Sequence, residues 1–236
     1  MSPEQALEVL LLSDKQSNRR QVAILDIHGR TAAWTSPEIN EWKGHTCGTD
    51  YCAQGNTLTG PEVVDAMAHS FETSTGPLAE RLLKSLNAAQ AAGGDKRGMQ
   101  SAALLILQPL GGAGGYSDRV LDLRVDEHKR PLKELKRILK AFRSRELLVV
   151  VRKQIAEESF TEALELAYRA RDLAPDGDNA WIHIADIQLQ MGERVAALSS
   201  LRMAVDLNPA NRHQLPENQT FAALHGDPDF IRIVKE

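Results

Sequence analysis

Residues 159–175, SFTEALELAYRARDLAP, and residues 194–209, RVAALSSLRMAVDLNP, carry one pattern offset by 34 residues. Ala163 matches Ala197, Ala170 matches Ala204, Leu173 matches Leu207, and Pro175 matches Pro209. A period of this size means one supersecondary unit per repeat, each needing a neighbour to bury its apolar face. Small Ala185, Ala197 and Ala204 let paired helices approach, Trp181 fills the gap, and the prolines stop each second helix. The intervening NAWIHIADIQLQMGE (179–193) is expected as the first helix of the second unit. The first unit is expected to begin near Glu146, with Glu158 in place of a turn glycine.

This pattern resembles the tetratricopeptide repeat, a helix-turn-helix of 34 residues. The tail NQTFAALHGDPDFIRIV (218–234) resembles the segment that closes such arrays. The resemblance implies a module that holds a peptide segment of a protein partner in its concave groove. Two units are fewer than the three usually required, so the array is expected to lean on its neighbouring domain.

With 236 residues, the chain has room for one large domain or two small ones. Its 42% hydrophobic and 25% charged residues are those of an ordinary globular protein with a core. A net charge of −4 argues against a protein built around nucleic acid. No apolar run is long enough to span a bilayer, so no membrane role is expected. The start, MSPEQALEVLLLSDK, carries Glu4 and Glu8 where a signal peptide carries positive charge. It reads as an amphipathic helix capped by Ser2, with Pro3 at the first helical position and Gln5 near the capping-box site. Two cysteines point to a reduced, cytoplasmic protein and not to a disulfide scaffold.

Residues 1–125 mix strands and helices. QVAILDI (21–27), the turn HGR and TAAWTS (31–36) read as a hairpin, and YCAQGNT (51–57) as a third strand. Helices are expected over Pro61–Phe71 and Gly76–Ala92, the second stopped by Gly93 and Gly94. SAALLILQPL (101–110) reads as a buried strand, GGAGGYSD as a loop, and RVLDLRV (119–125) as a returning strand. This order is α+β, and its strands are few for a sheet flanked by helices.

Four stretches in order are similar to the domain-of-unknown-function family 1028: RQVAILDIHGRTAAWT, YCAQGNTLTGPEVVDAM, GGDKRGMQSAALLI and DLRVDEHKRPLKEL. That family is placed among the Ntn hydrolases. The resemblance runs from about Ser2 to about Leu139. It implies a four-layer αββα sandwich that hydrolyses an amide bond with an N-terminal nucleophile. Family members begin with further strands carrying the Thr, Ser or Cys nucleophile, whereas this chain starts at the helix that follows them. Ser2 is an N-cap hydroxyl already engaged by backbone donors, not an activated nucleophile.

The expected architecture is therefore α+β: an incomplete Ntn-hydrolase-like αββα sandwich followed by an all-α tetratricopeptide array. The expected divisions are residues 1–130, a basic connecting helix 131–145, and repeats with a cap over 146–236. The functional expectation is an amidohydrolase domain of unknown substrate, silent without its nucleophile, joined to an interaction module. The alternative is a non-catalytic scaffold in which the repeats bind a peptide partner. Unpaired sheet edges imply self-association, hence a homo-oligomer.

Gln54, Gly55 and Asn56 are the leading site candidates, as fixed donors forming an oxyanion hole; one such donor is typically worth roughly 10²–10³ in rate. Their other reading is an Asx-type turn leading into the Pro61 helix. Arg97 could hold a substrate carboxylate through its planar fork, with Gln100 beside it; the alternative is a loop that caps the preceding helix. Asp122, Arg124 and Asp126 share one strand face as a self-neutralising row, Asp126 being the substrate-side candidate. His128, beyond the strand end, is a candidate base or a plain surface residue.

His45, Cys47, Asp50 and Cys52 lie close in sequence but lack a second ligand pair, so no metal and no cofactor is expected. GGAGG lacks the Lys-Ser/Thr ending of a phosphate loop. The basic residues of 129–145 face away from the stripe Leu132, Leu135, Ile138, Leu139 and Phe142, the pattern of a solvated helix face, and no aromatic set for nucleic acid accompanies them.

Overall fold

A computed structural model describes residues 1–39 and 41–235. The chain divides into two compact units, Met1–Lys136 and Arg137–Glu236.

The first unit opens with α1 (Pro3–Ser13), set by its capping box: Ser2 Oγ accepts from Gln5 N at 3.3 Å, and Ser2 N donates to Gln5 Oε1 at 2.9 Å. Two antiparallel hairpins follow, β1 (Gln21–Leu25) with β2 (Thr31–Thr35), and β3 (Trp42–Gly48) with β4 (Tyr51–Leu58). Then come α2 (Glu62–Thr73) and α3 (Leu78–Ala91), and a third hairpin of β5 (Ala102–Leu107) and β6 (Arg119–Val125).

β3 was not legible in the sequence. Its residues, WKGHTCG, have neither strict alternation nor a β-branched run, and pairing with β4 makes the strand. Its register corrects the cysteine expectation. Cys47 stands directly opposite Cys52, the Cα atoms are 4.1 Å apart, and the two are joined as a disulfide. The thiols are not free, so the cysteine count is no argument for a reducing compartment. The same bond removes both thiolates from the His45–Cys52 cluster.

Ala53 of β4 packs with Val64 and Ala68 of α2, so α2 covers one face of the second hairpin. α3 lies against α2, where Ser85 Oγ donates to Met67 O at 2.7 Å and Arg81 stacks 4.1 Å over the Phe71 ring. Gly93 ends α3 at φ +121°, and a Cβ there would come within 2.2 Å of Thr59 Oγ1. Only glycine fits that approach.

β5 departs from the buried strand expected over 101–110. Leu104 is buried, whereas Leu105 and Leu107 are 52% and 60% exposed, because one face alone is covered. The three hairpins form three separate two-stranded sheets among the described residues.

The second unit is helical. α4 (Pro131–Ala156) runs through position 145 without a break, so the basic stretch and the first repeat helix belong to one element. Leu135 and Leu139 are buried on its apolar stripe, while Lys133, Lys136 and Lys140 are exposed. α5 (Phe160–Leu173), α6 (Asn179–Gln190), α7 (Arg194–Leu207), α8 (Asn211–Glu217) and α9 (Pro228–Lys235) follow. Ala163, Ala167 and Ala170 are fully buried against Ile184 and Ile187, and Ala197 and Leu201 against Phe221 and Phe230. Alanine at these positions removes the side-chain bulk that would hold the helices apart.

The turns repeat as the sequence does. Glu158 and Gly192, 34 positions apart, take φ of +58° and +79°. Ser159 N donates to Gln154 O at 2.9 Å, and Glu193 N to Gln188 O at 2.7 Å, the same contact one period on. Asp178, before α6, accepts from Asn208 Nδ2 at 2.8 Å and Asn211 Nδ2 at 2.7 Å, fixing the entry to α8. No helix of the described residues is long and apolar enough to cross a membrane.

Candidate functional site

Gln54, Gly55 and Asn56 lie inside β4, opposite His45, Gly44 and Lys43 of β3. They are strand residues and not an Asx turn; their backbone is committed to a ladder whose partner strand the sequence did not reveal. The ladder slips one residue on. Trp42 pairs with Leu58 and Lys43 with Asn56, so Thr57 is the extra residue of a bulge, at φ +55°. A β-branched residue there is strained, by about 1–3 kcal/mol.

The bulge re-aims the end of β4 toward the loop after α3. Lys96 N donates to Thr57 O at 2.9 Å, Thr59 N donates to Gly94 O at 3.1 Å, and Asp95 bridges to Leu58. Lys96 Nζ also reaches Glu41 at 2.6 Å. These contacts hold residues 94–103 beside β4, with α2 and α3 behind. A cleft of about 330 Å³ results, with Gln54, Gly55, Arg97 and Gln100 in its lining. Leu58, Val63, Met67 and Leu86 supply its apolar wall. Four residues singled out in sequence are thus brought together from two distant stretches. Gln54 Oε1 is shielded from solvent and has no hydrogen-bond partner.

The Arg97 guanidinium is paired with Asp95, and its side chain stays 65% exposed. Its Nε and Nη2 donate to Asp95 Oδ1 and Oδ2 at 2.9 and 2.7 Å, and its backbone N to Oδ1 at 2.8 Å. The guanidinium holds the Asp95 carboxyl below its ordinary pKa, and Asp95 in turn raises that of Arg97. The fork closes on a neighbour two residues away, which a Gly-Asp-Lys-Arg loop permits and sequence alone did not disclose.

Asn56, Asp126 and His128 are not in the cleft lining. Asn56 Nδ2 donates to Gln21 Oε1 at 2.9 Å. Asp126 is exposed, 3.5 Å from Arg124. His128 is tied to the loop by its backbone N, which donates to Gln100 O at 2.9 Å, and its Nδ1 accepts from Arg130 N at 3.0 Å. That acceptor role leaves the proton of the neutral ring on Nε2.

Sequence reasoning passed over Gln21. Its Nε2 lies 3.0 Å from Thr35 Oγ1, 3.1 Å from Gly44 O and 2.9 Å from Gly55 O, and Thr35 Oγ1 is 2.9 Å from His45 Nδ1. One carboxamide thus joins the first two hairpins and positions the Gly55–Asn56 segment. The available signal was a lone polar residue heading the apolar run QVAIL, directly across from Thr35.

Fold and cleft together define an α+β domain with a small cleft between strand and loop, followed by a helical unit. The chain belongs to DUF1028, a family of unknown function, whose model matches residues 1–135. It is similar to a crystal structure of a DUF1028 protein from Silicibacter pomeroyi, at 31% identity and a TM-score of 0.52. That likeness covers 59% of this chain and 59% of the other, so the match spans less than two thirds of that relative's length. No curated protein matches the chain.

Proposed function

We propose that the first unit is an Ntn-type amide-hydrolase domain and that the cleft beside β4 is its substrate site. The observation that carries this reading is the meeting of Gln54 and Gly55 with the 94–103 loop over an apolar wall. Gln54 and Gly55 would face the carbonyl whose charge develops on attack. Asn56 would act through Gln21, holding the strand in place. Among the described residues Ser101 is the one hydroxyl residue of the cleft lining, and it is exposed, while Ser2 is spent in the cap of α1. The reading therefore expects no turnover from residues 1–236 by themselves, and assigns attack to an amino-terminal Thr, Ser or Cys. Intact mass and N-terminal sequencing of the native protein test this. A start at Met1, with no amide hydrolysed by the purified native protein, would sink the hydrolase reading.

A second reading rests on the second unit. The turn geometry repeated at 34 residues favours a tetratricopeptide-type module that holds a peptide of a protein partner, and in this reading the first unit is a scaffold. Titration of the full chain with extended and helical peptide panels tests it. Saturable binding that shifts α6 amides supports the reading, and no binding across the panels counts against it.

A further inference from the structure

Arg145, Val149 and Arg152 follow one another along α4 at spacings of four and three, so they form a single stripe on the helix. All three are exposed, Val149 by 56%, while Leu148 and Val151 beside them are buried against α5 and α6. The neighbouring carboxylates are already engaged: Arg143 Nη1 holds Glu146 at 2.6 Å, and Lys153 Nζ lies 3.7 Å from Glu157. Arg145 and Arg152 have no ion-pair or hydrogen-bond partner among the described residues.

The stripe borders α6. Arg152 stands close enough to the His183 ring to depress its pKa, second to burial. The residue one period on from Arg152 is Asp186, and among the described residues the two form no ion pair. One Asp186 carboxylate oxygen is shielded from solvent, and burial raises the pKa of the group. The face therefore offers two free, accessible cations with an apolar side chain between them.

The spacing sets the ligand. Seven helical residues separate Arg145 from Arg152 by about 10.5 Å along the axis. A polyproline II segment advances about 9.3 Å in three residues and returns to the same direction. Carboxylates at i and i+3 of such a segment reach both guanidiniums in one pose, each as a charge-assisted pair, with an aliphatic residue between them at Val149. The preformed conformation also spares the ligand part of its ordering cost. Nucleic acid fits less well, because its phosphates bring nothing apolar to Val149 and two cations are a small footprint in a chain of net charge −4.

We infer that the Arg145–Val149–Arg152 face of α4 binds an acidic, aliphatic segment of a protein partner in polyproline II conformation, with carboxylates three residues apart. The inference rests on reading the second unit as a peptide-binding module and names the chemistry of its peptide.

The experiment titrates the isotope-labelled full chain with four repeats of Glu-Pro-Leu, capped at both ends, following the amides of Val149 and His183 by NMR. Parallel titrations use the same peptide with Gln or Lys in place of Glu, and two repeats of Glu-Glu-Pro-Pro-Leu-Leu, which keep the composition and set the carboxylates side by side. The Glu-Pro-Leu peptide is expected to bind about tenfold or more tightly than the Gln and Lys peptides, and about threefold or more tightly than the rearranged one. Added salt is expected to weaken it. Arg145→Gln and Arg152→Gln, both at exposed positions, are each expected to weaken it by about three- to tenfold with the native spectrum kept elsewhere. Lys140→Gln removes the same charge from α4 outside the stripe and is expected to leave the affinity unchanged.

Equal or tighter binding of the Gln, Lys or rearranged peptide overturns the inference. So does an affinity unchanged in both arginine variants, an equal loss in Lys140→Gln, or tighter binding of a single-stranded oligonucleotide of twelve residues at the same amides. Binding of the neutral or basic peptide at α6 without preference for the acidic one leaves the module reading standing while its acidic specificity falls. No shift at Val149 or His183 with any peptide removes both.

Discussion

Asn56 Nδ2 donates to Gln21 Oε1 across 2.9 Å, and the nitrogen of the same Gln21 amide lies 2.9 Å from Gly55 O and 3.1 Å from Gly44 O. The side chain at the head of one hairpin thereby satisfies both strands of the next. Gln21→Leu leaves two carbonyls and a carboxamide without their partner and is expected to cost about 1–3 kcal/mol in urea unfolding. In a cycle with Asn56→Ala the two changes are expected to couple by about 0.5–1.5 kcal/mol. Additive effects would show that the contact does not join the hairpins.

The disulfide closes a loop of a few residues, Cys47 and Cys52 being five apart in sequence. In the chain-entropy account a loop so short is worth about 2 kcal/mol. Reduction, or the pair Cys47→Ala and Cys52→Ala, is expected to lower the urea midpoint accordingly. Alkylation before reduction is expected to add no mass to the purified protein. Immediate alkylation of both residues in the untreated protein would show that the bond does not form.

What was legible in the sequence was what neighbouring residues decide. The Ser2–Gln5 capping box, the β1–β2 hairpin, the glycine stop after α3 and the 34-residue helical period all act within one turn or one period of helix. β3 was not legible, because WKGHTCG becomes a strand only through β4. The strand expected over 51–57 is present as β4, but without its partner an Asx turn stayed open as the other reading of Gln54–Asn56, and the two cysteines were read as reduced. Likewise, the apolar run of β5 looked buried on both faces because composition cannot report how many neighbours a strand has. Of the site, residue types were readable at Gln54, Gly55, Arg97 and Gln100. The pairing of Arg97 with Asp95 was not.

The left-handed turn before α5 makes a test of the repeat. Glu158 sits at φ +58°, where an L-residue costs roughly 1–2 kcal/mol, and its counterpart Gly192 is at φ +79°. Glu158→Gly is expected to stabilise the chain by about 1 kcal/mol after the greater backbone entropy of glycine is subtracted. Gly192→Ala meets no atom within 4 Å, so its expected loss, also about 1 kcal/mol, comes from conformation alone. Equal and opposite shifts in thermal midpoint would establish that the two turns are equivalent.

Two groups of α6 make stability depend on pH with opposite sign. Burial, and secondarily Arg152, lowers the pKa of His183 from 6.5. A base whose folded-state pKa is depressed contributes stability above 6.5 that is lost as pH falls toward the lower value. Burial raises the pKa of Asp186 from 3.8, so its contribution is present below 3.8 and lost as pH rises through the raised value. His183→Gln is expected to flatten the fall in urea midpoint below pH 6.5, and Asp186→Asn to raise the midpoint at neutral pH. An acid limb unchanged in His183→Gln would assign that limb to other groups.

The β5–β6 hairpin bears on self-association. Among the described residues β5 pairs with β6 alone, and Leu105 and Leu107 stand on its outer face opposite Asp122 and Arg119. A short ladder with a free edge and exposed leucines is a template for pairing with another strand. The chain is therefore expected to scatter light as more than a monomer, increasingly with concentration. Leu105→Lys with Leu107→Lys puts charge on the outer face while leaving buried Leu104 in place, and is expected to return the chain to a monomer with little change in thermal midpoint. A wild-type chain that stays monomeric at high concentration would mean that the edge recruits no second copy.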